Sequence, residues 1–144
     1  DYTTGDLISP WADVKMDVHD IPFEDNSFDV VICNHVLEHV DDSQKVMTEF
    51  FRVMKPGGWG IFQVPIDNNN PKTIEDKAVT DPKEREKLYW QSDHLRLFGR
   101  DYGDRLSAAG FKVTESDFIN EIDPKLVERY ALPKDELVYY CEKI

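Results

Sequence analysis

The stretch Phe28-Asp29-Val30-Val31-Ile32-Cys33, with the helical pattern that follows it, decides how this chain folds. Its Val-Val-Ile-Cys run has no polar alternation, the pattern of a central strand in a parallel sheet covered on both faces. From Asp42 to Met54, the apolar side chains Val46, Met47, Phe50, Phe51 and Met54 recur at helical spacing. Asp41-Asp42-Ser43 supplies cap acceptors at the start of this helix, and Lys55-Pro56-Gly57-Gly58 closes it. Trp59-Gly60-Ile61-Phe62-Gln63-Val64-Pro65 reads as a second apolar strand. Strand, amphipathic helix and strand within about 40 residues form a βαβ unit, so the fold class is α/β, with a parallel sheet covered on both faces.

Downstream, the text changes character. Residues 66–98 read as an insertion on the ligand side of the sheet, densely charged from Lys72 to Lys87. Asp81-Pro82-Lys83-Glu84 opens one short helix there, with Asp as cap and Pro at the first helical position. Arg100 to Ala109 forms a further helix ending at Gly110, and Phe111 to Thr114 a strand. Asp123-Pro124 opens another short helix, and Leu137 to Glu142 is the last strand. With no repeat, low-complexity tract or linker, residues 1–144 read as a single domain.

Upstream, Tyr2 to Asp6 and Asp13 to Asp17 both resemble short strands ending in an acidic residue, yet only seven residues separate Asp6 from Val14. A regular parallel crossover takes about a dozen. Either the connection around Pro10-Trp11 is an irregular loop, or one strand is misassigned.

Composition narrows the partners. Seventeen Lys and Arg stand against 29 Asp and Glu in 144 residues, a net charge of −12. Such a surface repels phosphate backbones and anionic membranes, so neither nucleic acid nor a membrane is expected as partner. The two cysteines, Cys33 and Cys141, lie far apart in sequence and suit reduced thiols, which points to the cytoplasm. The first residues carry no signal-peptide order, and no stretch approaches a membrane span.

In open α/β sheets, ligands bind beyond the carboxyl ends of the strands, where an acidic side chain can accept both hydroxyls of a ribose. Asp6, Asp17 and Asn34 are placed for that work, although acidic residues after strands also cap turns. The segment from Asp17 to Val31, continuing through Leu37-Glu38-His39-Val40 and Arg52-Val53-Met54-Lys55-Pro56-Gly57-Gly58, resembles the class I S-adenosylmethionine-dependent methyltransferases, in particular their type 11 small-molecule group. The resemblance runs from about Tyr2 to Pro65, with a weaker echo at Asp93 to Phe98 and Ala109 to Phe111. It implies a Rossmann-like sheet with helices on both faces, S-adenosylmethionine as cofactor and a small-molecule methyl acceptor. It further implies that Asp6 holds the ribose hydroxyls, that Asp17 accepts the adenine amino group with the Val18 backbone facing the ring, and that Asn34 lies beside the methionine part.

Relative to that family, the first strand and its glycine-rich turn have no counterpart in this chain, which then reads as a truncated form. That strand is central in the family's sheet. Its neighbours are expected to pair directly, to be bridged by another chain as in a homo-oligomer, or to leave a gap with unpaired backbone groups. Among the four histidines, His39 and His94 are the catalytic candidates, as bases for an oxygen or nitrogen acceptor, and Arg96 is a candidate for binding an anionic acceptor. The plainer alternative is that His39 fastens the segment after the strand while His94 and Arg96 pin the insertion to the domain. Tyr89-Trp90 would line the acceptor pocket or anchor the insertion. Two competing functions are a catalytically silent or assembly subunit of the same fold and a nicotinamide-dependent oxidoreductase.

Overall fold

A computed structural model describes all 144 residues. Two short parallel strands come first, β1 (Gly5–Asp6) and β2 (Val14–Lys15), paired only with each other through Gly5 with Val14 and Asp6 with Lys15. Both expected strands are therefore present, joined by an irregular loop. Asp6 shapes that loop by accepting hydrogen bonds from the Ile8 and Ser9 backbone N–H groups at 2.8 and 2.7 Å. Thr4 and Asp13 close it from outside through paired hydrogen bonds.

The main sheet has four strands in the order β3 (Phe28–Asn34), β4 (Met54–Gln63), β8 (Val138–Glu142), β7 (Lys112–Ser116). β3 and β4 are parallel, while β8 runs antiparallel to both β4 and β7. The βαβ unit is completed by α1 (Ser43–Val53), whose first turn is capped by Asp42 accepting from the Lys45 N–H. The helix passes straight into β4 at Met54, earlier than the glycine pair suggested, and a register shift between Phe28 and Val30 absorbs the extra residues.

Burial alternates along β4 and β8. Gly60, Phe62, Tyr139 and Cys141 are buried beneath α1 and α3 (Tyr102–Ala108), with Val31 and Cys33 packed on the same core. Phe62 stacks on Phe50 with ring centroids 5.0 Å apart and meets Phe111 at 5.3 Å. Tyr102 lies edge-on to Tyr139 and donates its buried hydroxyl to the Phe62 carbonyl at 3.1 Å. Burial pushes the Tyr102 phenol well above its ordinary pKa and keeps that donor protonated. Gly110 ends α3 at φ 111°, a conformation L side chains rarely adopt, where a Cβ would also press on the Phe51 ring.

One expectation is overturned. β3 is an edge strand, not a central one, and its second face is uncovered: Val30 is 38% and Ile32 61% exposed. Its apolar run is apolar on both faces, but the helices of this chain cover only one of them.

The segment 66–98 contains the expected helix, α2 (Pro82–Tyr89), with Asp81 accepting from the Lys83 and Glu84 N–H groups and Pro82 at its start. It also contains a two-stranded antiparallel ribbon that the sequence pattern does not announce, β5 (Ile74–Glu75) with β6 (Arg96–Leu97). Strands of two residues carry no readable alternation. A 3₁₀ turn (Phe118–Glu121) and the helix α4 (Pro124–Arg129), capped by Asp123, precede β8.

Candidate functional site

The sequence-selected residues fall in two groups, both at the carboxyl ends of parallel strands. Asp6 ends β1 and Asp17 follows β2. Asp17 Oδ1 accepts from the His19 backbone N–H at 2.9 Å and from His19 Nδ1 at 2.7 Å. Since Nδ1 faces a carboxylate, it carries the proton, and His19 Nε2 accepts the Asp42 N–H at 3.3 Å. His19 thereby ties the end of β2 to the start of α1, a structural task that its position in the sequence did not reveal. Backbone hydrogen bonds hold both carboxyls below the usual aspartate range, those of Ile8 and Ser9 at Asp6 and that of His19 at Asp17, so both stay ionised as acceptors. Val18 packs against the core beside Asp17. Asn34 closes β3 and accepts the Gln63 N–H at 3.3 Å through Oδ1. The chain turns immediately after it at His35, which adopts φ 57°.

The second group gathers around the turn after β3. Leu37 and Glu38 are buried, and His39 is exposed. The insertion returns to this turn: the Leu95 N–H donates to the Glu38 carbonyl at 2.8 Å. His94 is buried, its Nδ1 lies 2.8 Å from the Tyr89 carbonyl, and its ring meets that of His39 edge to face with centroids 4.7 Å apart. The two histidines picked from distant parts of the sequence are thus in contact.

Arg96 has a different task from the one its charge suggested. It is 4% exposed, and its guanidinium donates to the carbonyls of Leu37, Val40 and Asp41, with Nε on Glu75 at 3.0 Å. Each of its three nitrogens is already engaged by a group of the chain itself. Arg96 pins the insertion to the β3 turn, as the plainer alternative had it. Tyr89 is a buried anchor whose hydroxyl accepts the Asp76 N–H, whereas Trp90 is about half exposed at φ 74°. In the sequence Glu38 reads only as part of the Leu37-Glu38-His39-Val40 motif. The signal for it was an acidic residue between apolar neighbours, Leu37 before and Val40 after the adjacent histidine.

A methyltransferase-domain family model matches residues 7–62, the span from the β1–β2 loop through α1 into β4. The sterol 24-C-methyltransferase of Schizosaccharomyces pombe is 31% identical over 137 residues, taking in 91% of this chain and 34% of the relative. Residues 7–62 thus carry the pattern of a methyltransferase domain, and the chain is similar to a methyltransferase over most of its length. A ubiquinone/menaquinone biosynthesis C-methyltransferase of Desulfotalea psychrophila is 45% identical over 42 residues, 29% of this chain and 17% of the relative. The matches take in about a third or less of the length of these relatives.

Solved structures agree on the fold. The 1,6-didemethyltoxoflavin-N1-methyltransferase of Burkholderia thailandensis, solved with bound 1,6-didemethyltoxoflavin and S-adenosylhomocysteine, superposes with a TM-score of 0.61 at 15% identity, covering 96% of this chain and 59% of that one. The methyltransferase solved with the Haloferax volcanii Trm112 activator gives 0.54 at 20% identity, covering 90% and 60%. The matched family model and both relatives are methyltransferases, not nicotinamide-dependent oxidoreductases.

Proposed function

We propose that this chain serves methyl transfer from S-adenosylmethionine to a small-molecule acceptor. The observation that carries the reading is the ordered series of polar residues at the carboxyl ends of β1, β2 and β3, lying within or beside the segment matched to the methyltransferase domain. Asp6 accepts the two ribose hydroxyls, Asp17 the adenine amino group with Val18 against the ring, and Asn34 faces the methionine portion. Each carboxylate keeps acceptor capacity for this, because Asp6 and Asp17 engage their own loops through Oδ1 alone.

Transfer from a sulfonium is an in-line displacement in which the positive charge of the donor disappears, so alignment supplies much of the rate. Activation of the acceptor falls to the cluster at the β3 turn, with His39 as its reachable member and His94 behind it as a positioning residue. A small acceptor fits the names of the relatives, which act on sterols and quinone precursors, and the net charge of −12 argues against a nucleic acid. No helix is long and apolar enough to cross a membrane. Both thiols are free, which suits a reducing, cytoplasmic setting, and burial pushes Cys33 and Cys141 up to about 12, so both stay protonated. Residues 1–144 act as one domain in this reading, with residues 66–98 shaping the acceptor side.

Isothermal titration with S-adenosylhomocysteine tests the cofactor assignment. Saturable binding is expected, weakened by roughly 1–3 kcal/mol in Asp6→Ala and in Asp17→Ala. Equal affinity in both variants would remove these carboxylates from the cofactor site.

A further inference from the structure

Glu38 is 1% exposed, and neither carboxylate oxygen has a hydrogen-bond donor. These are the two buried side-chain polar atoms of the chain left without a partner. A buried carboxylate in that condition is costly unless a cation sits beside it.

Its neighbours define what kind of cation. His94 Nδ1 lies 2.8 Å from the Tyr89 carbonyl, which only accepts, so Nδ1 carries the proton and Nε2 is left with its lone pair. His39 Nδ1 lies 3.4 Å from both the carbonyl and the Oδ2 of Asp93, again two acceptors, so its Nε2 also keeps a lone pair. That Nε2 stands 3.9 Å from Glu38 Oε1. One ring nitrogen from each of His39 and His94 and one carboxylate oxygen of Glu38 lie within 4.8 Å of one another.

We propose that Glu38, His39 and His94 bind a divalent transition-metal ion at the turn after β3. Two imidazoles and one carboxylate form a set that suits Zn²⁺, Co²⁺ or Fe²⁺ and ill suits the all-oxygen preference of Ca²⁺ or Mg²⁺. The outer contacts fit as well. Histidine ligands usually donate their second ring N–H to a carbonyl or carboxylate, as His94 does to Tyr89 and His39 to Asp93. Ligand atoms around a tetrahedral ion stand about 3.3 Å apart. The site therefore closes inward on binding, chiefly by movement of His39, whose side chain is 35% exposed.

Three protein ligands leave a coordination position open, as in metal sites that take a substrate oxygen. That an acceptor oxygen enters it rests on the methyl-transfer reading; metal binding itself does not. His35 is the competing cation, since its exposed Nδ1 lies 3.4 Å from Glu38 Oε1 and a protonated ring there would pair with the carboxylate instead.

Titration of the full chain with Co²⁺, followed by visible absorption, separates the two. The metal site requires one equivalent bound, with the band pattern of a four- or five-coordinate nitrogen and oxygen site, displaced by Zn²⁺. Glu38→Gln and His39→Ala should each weaken it roughly tenfold or more, while His35→Ala stays within about twofold. Thermal melts without metal confirm that the variants fold, and His39→Ala, at a partly exposed position, keeps the test informative if Glu38→Gln does not fold. S-adenosylhomocysteine titration of the same variants reads the cofactor site separately, so failure of one assignment is not failure of the other. No saturable Co²⁺ binding up to millimolar metal, or equal binding by wild type, Glu38→Gln and His39→Ala, would overturn the proposal, as would loss confined to His35→Ala.

Discussion

Asp6 and Asp17 stand on the isolated β1–β2 ladder, among the exposed side chains of Tyr2, Leu7, Ile8 and Trp11, whereas Glu38 and His94 stand on segments locked into the core by Arg96 and Tyr89. The first region is organised by short-range contacts: each aspartate binds backbone N–H groups two or three residues ahead. The second is organised by contacts across more than fifty residues, from Arg96 to the carbonyls of Leu37, Val40 and Asp41 and from His39 to Asp93. A cofactor carboxylate can thus be set by its own loop, while the acceptor-side cluster exists only once the insertion has docked.

The sharpest way to break this contrast is Arg96→Met. It strands three carbonyls and leaves Glu75 without one of its two arginines. Leaving these carbonyls without their donor should cost roughly 3 kcal/mol or more in urea denaturation. A loss below about 1 kcal/mol would mean that the insertion docks without Arg96. Arg52 fastens the link between the two regions, donating to the carbonyls of Ile21 and Phe23, to Asp25 and to Glu49. Arg52→Gln is expected to lose about 2–3 kcal/mol, read the same way.

The same link has an acid signature. Hydrogen bonds from Arg52 hold the Glu49 carboxyl below the ordinary glutamate range, so the native state releases that proton more readily than the unfolded chain. The stability it confers is complete above the ordinary glutamate pKa and is lost as pH falls through the lower native value. Melting temperature against pH should therefore fall less steeply on the acid side in Glu49→Gln than in wild type. Parallel curves would assign the acid loss to other carboxylates. At the small end, Trp11→Ala in the exposed loop should change stability by no more than about 0.5 kcal/mol. A larger loss in the isolated chain would show that the β1–β2 region is better supported than its exposure indicates.

Legibility in the sequence follows the same division. The βαβ unit, the caps at Asp42, Asp81 and Asp123 and the strand-end acids are all local patterns, and all are present in the structure. The β5–β6 ribbon, the edge position of β3 and the buried role of Arg96 depend on which distant segments meet, so no window of sequence contains them. Contact between His39 and His94 belongs with these: both were candidates, but nothing in their spacing placed one ring against the other. Glu38 shows the limit most clearly, since an acidic residue in an apolar stretch looks the same in sequence whether it faces water or is buried without a donor.

The most direct test of the central claim, that the β1–β2 carboxylates receive the cofactor, is a crystal structure of the chain with S-adenosylhomocysteine. The ribose hydroxyls should lie within hydrogen-bond distance of Asp6 and the adenine amino group within that distance of Asp17, with the amino-acid end toward Asn34. Ligand bound elsewhere, with both carboxylates still engaged only by their own loops, would contradict it.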